Sequence, residues 1–245
     1  MNTWPYPRWI AHRGAGRLAP ENTLAALRLG AQHGYRMFEC DVKLSRDNVP
    51  FLLHDDRLDR TTDGSGLAGQ QPWHELSQLD AGAWHSRGFA GEPMPSLQGI
   101  ARFCVRNGYF LNIELKPTPG VEEQTGRVVA DHAARLWQGE AVAPLLSSFR
   151  PEALAGARAA QPQLPRGLLL HGPWTGWLET ALALGCVAVI CHHPLWDAAT
   201  LARVRGAGLR ALAYTVNIEA EAKRLQALGI DGLITDRIDL FSPKP

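Results

Sequence analysis

The sequence has 245 residues, of which 45% are hydrophobic and 20% are charged, and its net charge is +1. This composition is ordinary for a globular enzyme, and α/β barrels commonly fold as one unit at about this length. The near balance of charges excludes a broad basic surface for nucleic acid or anionic membrane, and it leaves room only for a local cationic site that could bind a phosphate.

The sequence shows no signal for export or membrane insertion. Its first segment, MNTWPYPRWIAHRG, lacks a charged region followed by an apolar one, so no signal peptide is predicted. No apolar run approaches the length of about 18 residues that a membrane span requires. Four cysteines lie in or beside apolar runs and are expected to be buried and reduced. These features favour a cytoplasmic protein without stable membrane association.

The first predicted strand is a short apolar run that ends at His12 and Arg13. Asn22 is expected to cap the helix that follows this strand. The next run, MFECDVKL, places Glu39 and Asp41 two residues apart, so both carboxylates project from one face of a strand. Both strands therefore end in side chains suited to a functional site.

A further apolar run, residues 49–53, follows too soon for a helical crossover. The intervening SRDN has the turn residues of a β-hairpin. Folding back about Asp47 sets His54 roughly opposite Asp41. Short-range structure alone therefore brings a histidine beside the two carboxylates.

Residues 57–95 lose this periodicity and are punctuated by Gly, Pro and Trp, which predicts a small insertion packed over one end of the main domain. Strands and helices then alternate regularly to the C-terminus. Helices are predicted over residues 97–108, 121–137, 177–184, 197–204 and 220–228, with one more beginning near Pro151. Strands are predicted over residues 109–116, 145–149, 166–171, 187–192, 210–216 and 232–236.

This alternation of strands and helices indicates a mostly parallel sheet. If the second arm of the hairpin is counted with its first, about eight strands remain, which favours a (β/α)8 TIM barrel over an open doubly wound sheet. Neither G-x-G-x-x-G nor G-x-x-x-x-G-K-[ST] occurs, which weakens a nucleotide-binding alternative. We therefore predict an α/β protein with a single TIM-barrel domain over residues 1–245.

Barrel enzymes place catalytic side chains at the carboxyl ends of their strands. These ends provide Glu39, Asp41 and, from the segment IELK, Glu114. Three carboxylates at one rim repel each other unless a cation joins them. Ligands that are all oxygen suit a hard divalent ion, Mg²⁺ or Ca²⁺, better than zinc. The sequence therefore predicts one divalent cation held by these three residues.

Two cations and two histidines flank the predicted metal site. Arg13, as a planar fork, and Lys116, as a point charge, suit the oxygens of an anion. His12 and His54 titrate near neutral pH, and each can give or take one proton. Such groups around a metal can split a phosphate ester. Which histidine is the acid and which is the base stays open.

The segments AHRG, PENT, E-C-D, HDDRLDRTT and IELK, closing with TDRID, resemble the glycerophosphodiester phosphodiesterase family over nearly the whole chain. The likeness is greatest to its short cytosolic bacterial members, which serve glycerol phosphate uptake and phospholipid breakdown. The resemblance implies a phospholipase-C-like barrel that uses a divalent metal. It also implies hydrolysis of diesters such as glycerophosphocholine, glycerophosphoethanolamine or glycerophosphoglycerol to an alcohol and sn-glycerol 3-phosphate.

The resemblance also assigns roles to individual residues. The family's metal ligands are matched by Glu39, Asp41 and Glu114. Its acid–base pair is matched by His12 and His54, and its phosphate-site positions are matched by Arg13 and Lys116. Asn48 stands at the hairpin turn where many members have Gly, and Asn tolerates the same left-handed backbone. The short insertion leads us to expect an open mouth suited to small, water-soluble diesters.

Three other functions are compatible with a barrel of this kind. A lysophospholipase-D-like activity on single-chain lipids would need an apolar groove. A binding protein without catalysis would lack a metal or acid–base residue, and none is missing here. A metal-dependent aldolase or isomerase would need a Schiff-base lysine or an enolate-stabilising base, for which Lys116 is the only candidate in the motifs.

Overall fold

The computed structural model describes residues 4–241 and 243 of the chain. Its strands are β1 Trp9–Ala11, β2 Met37–Leu44, β3 Pro50–Leu52, β4 Phe110–Leu115, β5 Leu145–Ser148, β6 Arg166–Leu170, β7 Ala188–His192, β8 Arg210–Tyr214 and β9 Gly232–Thr235. Its α-helices are α1 Leu24–Gln32, α2 Trp73–Leu76, α3 Leu97–Asn107, α4 Glu122–Leu136, α5 Pro151–Ala160, α6 Trp177–Ala183, α7 Ala198–Gly206 and α8 Glu219–Leu228. None of the helices in the described residues has both the length and the apolar character needed to cross a membrane.

Eight parallel strands close into a barrel. β1 pairs in parallel with β9 on one side and with β2 on the other, which joins the two ends of the sheet. The other neighbours follow in the order β2, β4, β5, β6, β7, β8 and β9. Every crossover between consecutive parallel strands contains a helix, as parallel connections require. The predicted (β/α)8 barrel is confirmed.

The remaining strand, β3, forms an antiparallel hairpin with β2. Val42 lies opposite Leu52 in this pairing. Asn48 adopts a φ of +62° in the turn, a conformation that Asn tolerates better than most residues. The Leu53 N–H donates to the carbonyl of Asp41 at 3.1 Å, so the chain leaves β3 level with that carboxylate. The hairpin prediction is therefore confirmed.

Alternation along β2 separates the barrel interior from the outer layer of helices. Met37 packs with apolar residues of other strands inside the barrel. Phe38 and Cys40 belong instead to the larger apolar cluster between the strands and the helices. Because strand side chains alternate, Glu39 and Asp41 lie on the same side as Met37 and closer to the carboxyl end. The apolar filling of the barrel thus ends where the carboxylates begin.

The segment between β3 and α3 lies over the rim and has a small core of its own. That core combines Phe51 of β3 with apolar residues of the segment itself: Leu53, Leu58, Ala68, Leu76, Ala81 and Met94. Glu92 accepts the N–H of Ala25 at 2.9 Å, and the His85 ring lies 3.1 Å from the Arg17 carbonyl. The insertion is therefore tied to the loop and helix that follow β1. The assignment of all 245 residues to one domain stays a prediction.

The start of α1 differs from the prediction. Thr23 caps this helix, because its hydroxyl accepts the N–H of Ala26 at 3.1 Å. Asn22 has a φ of +58°, and its side chain turns to Asp41. It donates to Oδ2 of Asp41 at 2.8 Å and accepts the Asp41 N–H at 2.9 Å. The expectation that Asn22 caps α1 was therefore wrong, since this residue is bound to the rim.

Candidate active site

The seven residues predicted from the sequence lie around one end of the barrel. They are placed by the carboxyl ends of β1, β2 and β4 and by the chain that leaves β3: His12, Arg13, Glu39, Asp41, His54, Glu114 and Lys116. Parallel strands in a closed barrel end at one rim, so residues far apart in sequence become neighbours there.

The three acids form a buried cluster. Glu39, Asp41 and Glu114 are only 2%, 1% and 9% exposed, and each offers a carboxylate oxygen within 4.8 Å of the others. The register between β2 and β4 places Asp41 directly beside Glu114. Carboxylates that are this close together and this deeply buried cannot all stay ionised without a positive partner. The cluster therefore has the arrangement of a cation site.

The three acids of the cluster differ in their pKa values. Burial, followed by the charge of Asp41, raises the pKa of Glu39 to about 8. Burial and the charge of Asp41 also raise the pKa of Glu114. Burial opposes ionisation of Asp41 too, but the charges of Arg13 and Lys116 lower its pKa to about 2. Asp41 is thus the most firmly ionised member of the cluster.

The donor set of the cluster fits a hard divalent ion. Oε1 of Glu39 is buried and has no hydrogen-bond partner among the described residues, which is costly for a carboxylate oxygen. A cation among the three residues would satisfy that atom. All the donors are oxygen, the preference of Mg²⁺ and Ca²⁺. These three residues therefore fit a hard divalent ion.

Arg13 lies in a strained turn directly after β1. Its φ is +50°, and its backbone N–H donates to Oε2 of Glu39 at 3.0 Å. Its guanidinium lies 2.7 Å from Glu21 and 3.2 Å from Asp41. The side chain therefore spans an acid of the cluster and an acid of the following loop.

Lys116 contacts two acids of the cluster, Glu114 and Asp41. Its ammonium lies 2.7 Å from Glu114 and 3.7 Å from Asp41, and 5.5 Å from the centre of the Phe149 ring. Burial opposes its charge, but the two acids dominate and raise the pKa of Lys116. The cluster is therefore bordered by two positive charges, those of Arg13 and Lys116.

His12 is held by an acid from the last strand. Its Nδ1 lies 2.5 Å from Oδ1 of Asp236, and its Nε2 lies 3.8 Å from Glu39. Asn217 fixes Asp236 by donating to its carboxylate at 2.8 Å and accepting its N–H at 2.9 Å. Burial lowers the basicity of His12, but the Asp236 hydrogen bond and the Glu39 charge prevail, so the pKa of His12 is raised.

His54 is held in a similar way by its neighbour. Its Nδ1 lies 2.7 Å from Asp55, and Arg60 of the insertion donates to Asp55 at 2.6 and 3.1 Å. Arg60 also binds Glu21, with two contacts of 2.8 Å. Burial is the main cause that lowers the pKa of His54, while the charge of Asp41 opposes it. Each histidine thus has Nδ1 engaged by a carboxylate, which leaves Nε2 for proton exchange.

Several residues of the site were not predicted from the sequence. Glu21 links Arg13 to Arg60, and Asp55 and Asp236 orient the two histidines. A signal did exist for Asp236, because it directly follows the last strand and therefore lies on the catalytic rim. Glu21, Asp55 and Arg60 lie within the motifs PENT and HDDRLDRTT, but those motifs do not show which side chains contact each other, because the contacts depend on how an irregular segment folds back.

A cavity of about 430 Å³ opens beside His12 between the loop after β1 and the insertion. Its walls are His12, Arg13, Gly16, Arg17, Ala19, Glu21, Trp84, His85 and Asp236. The cavity therefore adjoins His12 and Arg13 and is bounded on one side by Trp84 and His85 of the insertion.

Comparisons with known proteins agree with this geometry. The model of the glycerophosphoryl diester phosphodiesterase family matches residues 12–240. Bacillus subtilis YhdW is 34% identical over 238 residues, or 95% of each chain. A glycerophosphodiester phosphodiesterase of Caldanaerobacter subterraneus is 31% identical and covers 93% of each chain. An Oleispira antarctica phosphodiesterase, solved with the product sn-glycerol-3-phosphate, superposes with a TM-score of 0.89 at 38% identity, covering 94% of this chain and 93% of that one.

Proposed function

The chain belongs to the glycerophosphoryl diester phosphodiesterase family, and on that basis we propose that it hydrolyses small glycerophosphodiesters to an alcohol and sn-glycerol 3-phosphate. Candidate substrates are glycerophosphocholine, glycerophosphoethanolamine and glycerophosphoglycerol. The observation that carries this proposal is the buried cluster of three acids flanked by two histidines, each with Nδ1 bound to a carboxylate.

In this proposal Glu39, Asp41 and Glu114 hold one divalent cation, Mg²⁺ or Ca²⁺. The bound ion would draw negative charge from the phosphoryl oxygens of the substrate. Arg13 and Lys116 bind those oxygens, as a fork and a point charge respectively. Their contacts with the acids support this, because they fix both cations beside the place where phosphate charge develops.

His12 and His54 exchange protons at Nε2. One takes the proton of the attacking hydroxyl, which belongs to water or to the substrate's neighbouring glycerol hydroxyl, and the other protonates the departing alkoxide. The carboxylates on Nδ1 support these roles, since they hold each ring in one orientation. Product analysis under single-turnover conditions separates the two nucleophiles. A cyclic 1,2-phosphate forms only if the neighbouring hydroxyl attacks.

The proposal includes the setting in which the enzyme acts. The four cysteines are buried and unpaired, which supports a reducing compartment such as the cytoplasm. The net charge of +1 supports a small-molecule substrate and no nucleic acid partner. A short insertion beside an open cavity supports water-soluble diesters as substrates, without stable membrane association.

The direct test is a coupled assay for glycerol 3-phosphate release, run with and without a chelator. We expect release from glycerophosphocholine or glycerophosphoglycerol that stops with chelator and returns with Mg²⁺ or Ca²⁺. His12→Ala and His54→Ala should each abolish turnover while the protein still binds the metal. Near-full turnover in either variant would show that the histidine has another role. Faster hydrolysis as an acyl chain lengthens would favour the lysophospholipase-D-like alternative.

A further inference from the structure

We infer that the cavity between the loop after β1 and the insertion binds the alcohol half of the diester, and that its walls favour a hydroxyl-rich headgroup over a quaternary ammonium. This inference rests on the proposed function and deepens it, because it names the part of the substrate that the insertion recognises. The residues that carry it are Trp84, His85 and Arg17, none of which belongs to the proposed metal, acid–base or phosphate groups.

The position of the cavity supports this assignment. His12 and Arg13 line it, so a diester bound at the acid cluster would have one of its ester groups beside this cavity. Its volume of about 430 Å³ corresponds to more than a dozen water molecules at about 30 Å³ each. A glycerol unit has only six non-hydrogen atoms, whereas the headgroup differs in size from one diester to another. A wide cavity open on one side therefore suits the variable half of the substrate.

Trp84 provides an apolar surface at the cavity. It is 39% exposed, although exposing a large aromatic ring to water is unfavourable. Its indole N–H is already used, donating to the Ala81 carbonyl at 2.9 Å. The ring is also held at its edge by His85, with centroids 5.7 Å apart. The indole is therefore fixed in place and offers its surface, not its polar atom, to a ligand.

His85 contributes a hydrogen-bond acceptor. Its Nε2 lies 3.1 Å from the carbonyl of Arg17, and a carbonyl can only accept, so Nε2 carries a proton. In the neutral ring Nδ1 is then an acceptor, and it is buried without a hydrogen-bond partner among the described residues. A hydroxyl group reaches this atom only with a small shift of the ring, and a trimethylammonium has no proton to donate to it.

Arg17 determines the sign of the charge at the cavity. Of the two acids in the walls, Glu21 is paired with Arg13 and Arg60, and Asp236 is paired with His12. Arg17 is exposed and forms no ion pair within the described part of the chain. Its positive charge repels a cationic headgroup and donates to hydroxyl oxygens. One exposed ring does not outweigh this charge, because recognition of quaternary ammonium uses a cage of several rings.

The test compares kcat/KM for glycerophosphoglycerol with kcat/KM for glycerophosphocholine. We expect the wild-type chain to favour glycerophosphoglycerol. Arg17→Gln should move the ratio toward glycerophosphocholine by about three- to tenfold, as expected when one solvent-exposed charge is removed. Trp84→Ala should raise KM for glycerophosphoglycerol. Trp84→Phe should keep KM near the wild-type value, because an aromatic ring remains at this position. Thermal unfolding of each variant checks that it is folded.

Trp174→Ala is the matched control, because this tryptophan is 41% exposed and does not line the cavity. It should leave the substrate ratio unchanged. A wild-type preference for glycerophosphocholine, or an unchanged ratio in Arg17→Gln, would overturn the inference. Failure of the proposed function looks different, since neither diester would then release glycerol 3-phosphate in a chelator-sensitive manner.

Discussion

Asp236→Asn tests how the last strand supports catalysis. In the native structure His12 donates from Nδ1 to an ionised carboxylate 2.5 Å away, and the two side chains are only 20% and 21% exposed. Asparagine has the same shape, but its amide group can donate to Nδ1. The ring would then carry its proton on Nε2 and could no longer accept one there. The substitution therefore changes which nitrogen of His12 is protonated while leaving the packing intact.

The size of the effect follows from the hydrogen bond that is lost. Hydrogen bonds to charged groups contribute about 1.5–3 kcal/mol, and each 1.36 kcal/mol is tenfold in rate, so kcat should fall roughly 10- to 100-fold. KM should change less than kcat, because the Asp236 carboxylate is engaged by His12 and Asn217 and is not proposed to bind the phosphate. Initial rates of glycerol 3-phosphate release across a range of glycerophosphoglycerol concentrations measure both constants.

Asp239→Asn is the matched control for this experiment. Asp239 pairs with Arg237 at the surface, is 40% exposed and makes no contact with His12. An exposed ion pair contributes little, so kcat should stay within about twofold of wild type. A folded Asp236→Asn protein that retains kcat within the same range would refute the proposed role of this carboxylate in orienting His12.

Two further substitutions test the supports of the site. Gly16→Ala would place a Cβ 2.2 Å from the backbone of Asp236 at a φ of +57°, so we expect the free energy of unfolding to fall by about 2–4 kcal/mol in urea titrations. Gly172→Ala, whose Cβ would meet open space, should leave the free energy of unfolding nearly unchanged. Equal stability of the two variants would contradict the strain expected at residue 16. Arg60→Gln removes the ion pair that Arg60 forms with Asp55. Because Arg60 is 44% exposed, the free energy of unfolding should change by no more than about 1 kcal/mol. Its kcat should nevertheless fall several-fold, and a wild-type kcat would show that His54 does not need this support.

The features that follow from short-range geometry could be predicted from the sequence. Glu39 and Asp41 share a face because they are two residues apart on a strand, and the hairpin returns the chain to their level. The barrel followed from the alternation of strands and helices, and the parallel pairing of β2 with β4 brings Glu114 beside Asp41. Both inferences use rules that hold for any strand or any barrel.

The supporting contacts could not be predicted in this way. The His12–Asp236 contact joins residues 224 positions apart and exists only because β9 closes the barrel against β1. Arg60 reaches Glu21 through an insertion without regular periodicity, so no sequence pattern fixes its direction. Asn22 is a residue type that commonly caps helices, but its side chain forms hydrogen bonds with Asp41, and this tertiary contact overrides the local preference.

The central claim is that Glu39, Asp41 and Glu114 hold one hard divalent cation. Isothermal titration of chelator-treated protein with Mg²⁺ and with Ca²⁺ tests it most directly, using Glu39→Gln, Asp41→Asn and Glu114→Gln, with Asp239→Asn as the control. We predict one ion bound per wild-type chain, unchanged binding in the control, and affinity at least about tenfold weaker in each of the three variants. Wild-type protein that binds neither ion, or binding that survives undiminished in the three variants, would contradict the claim.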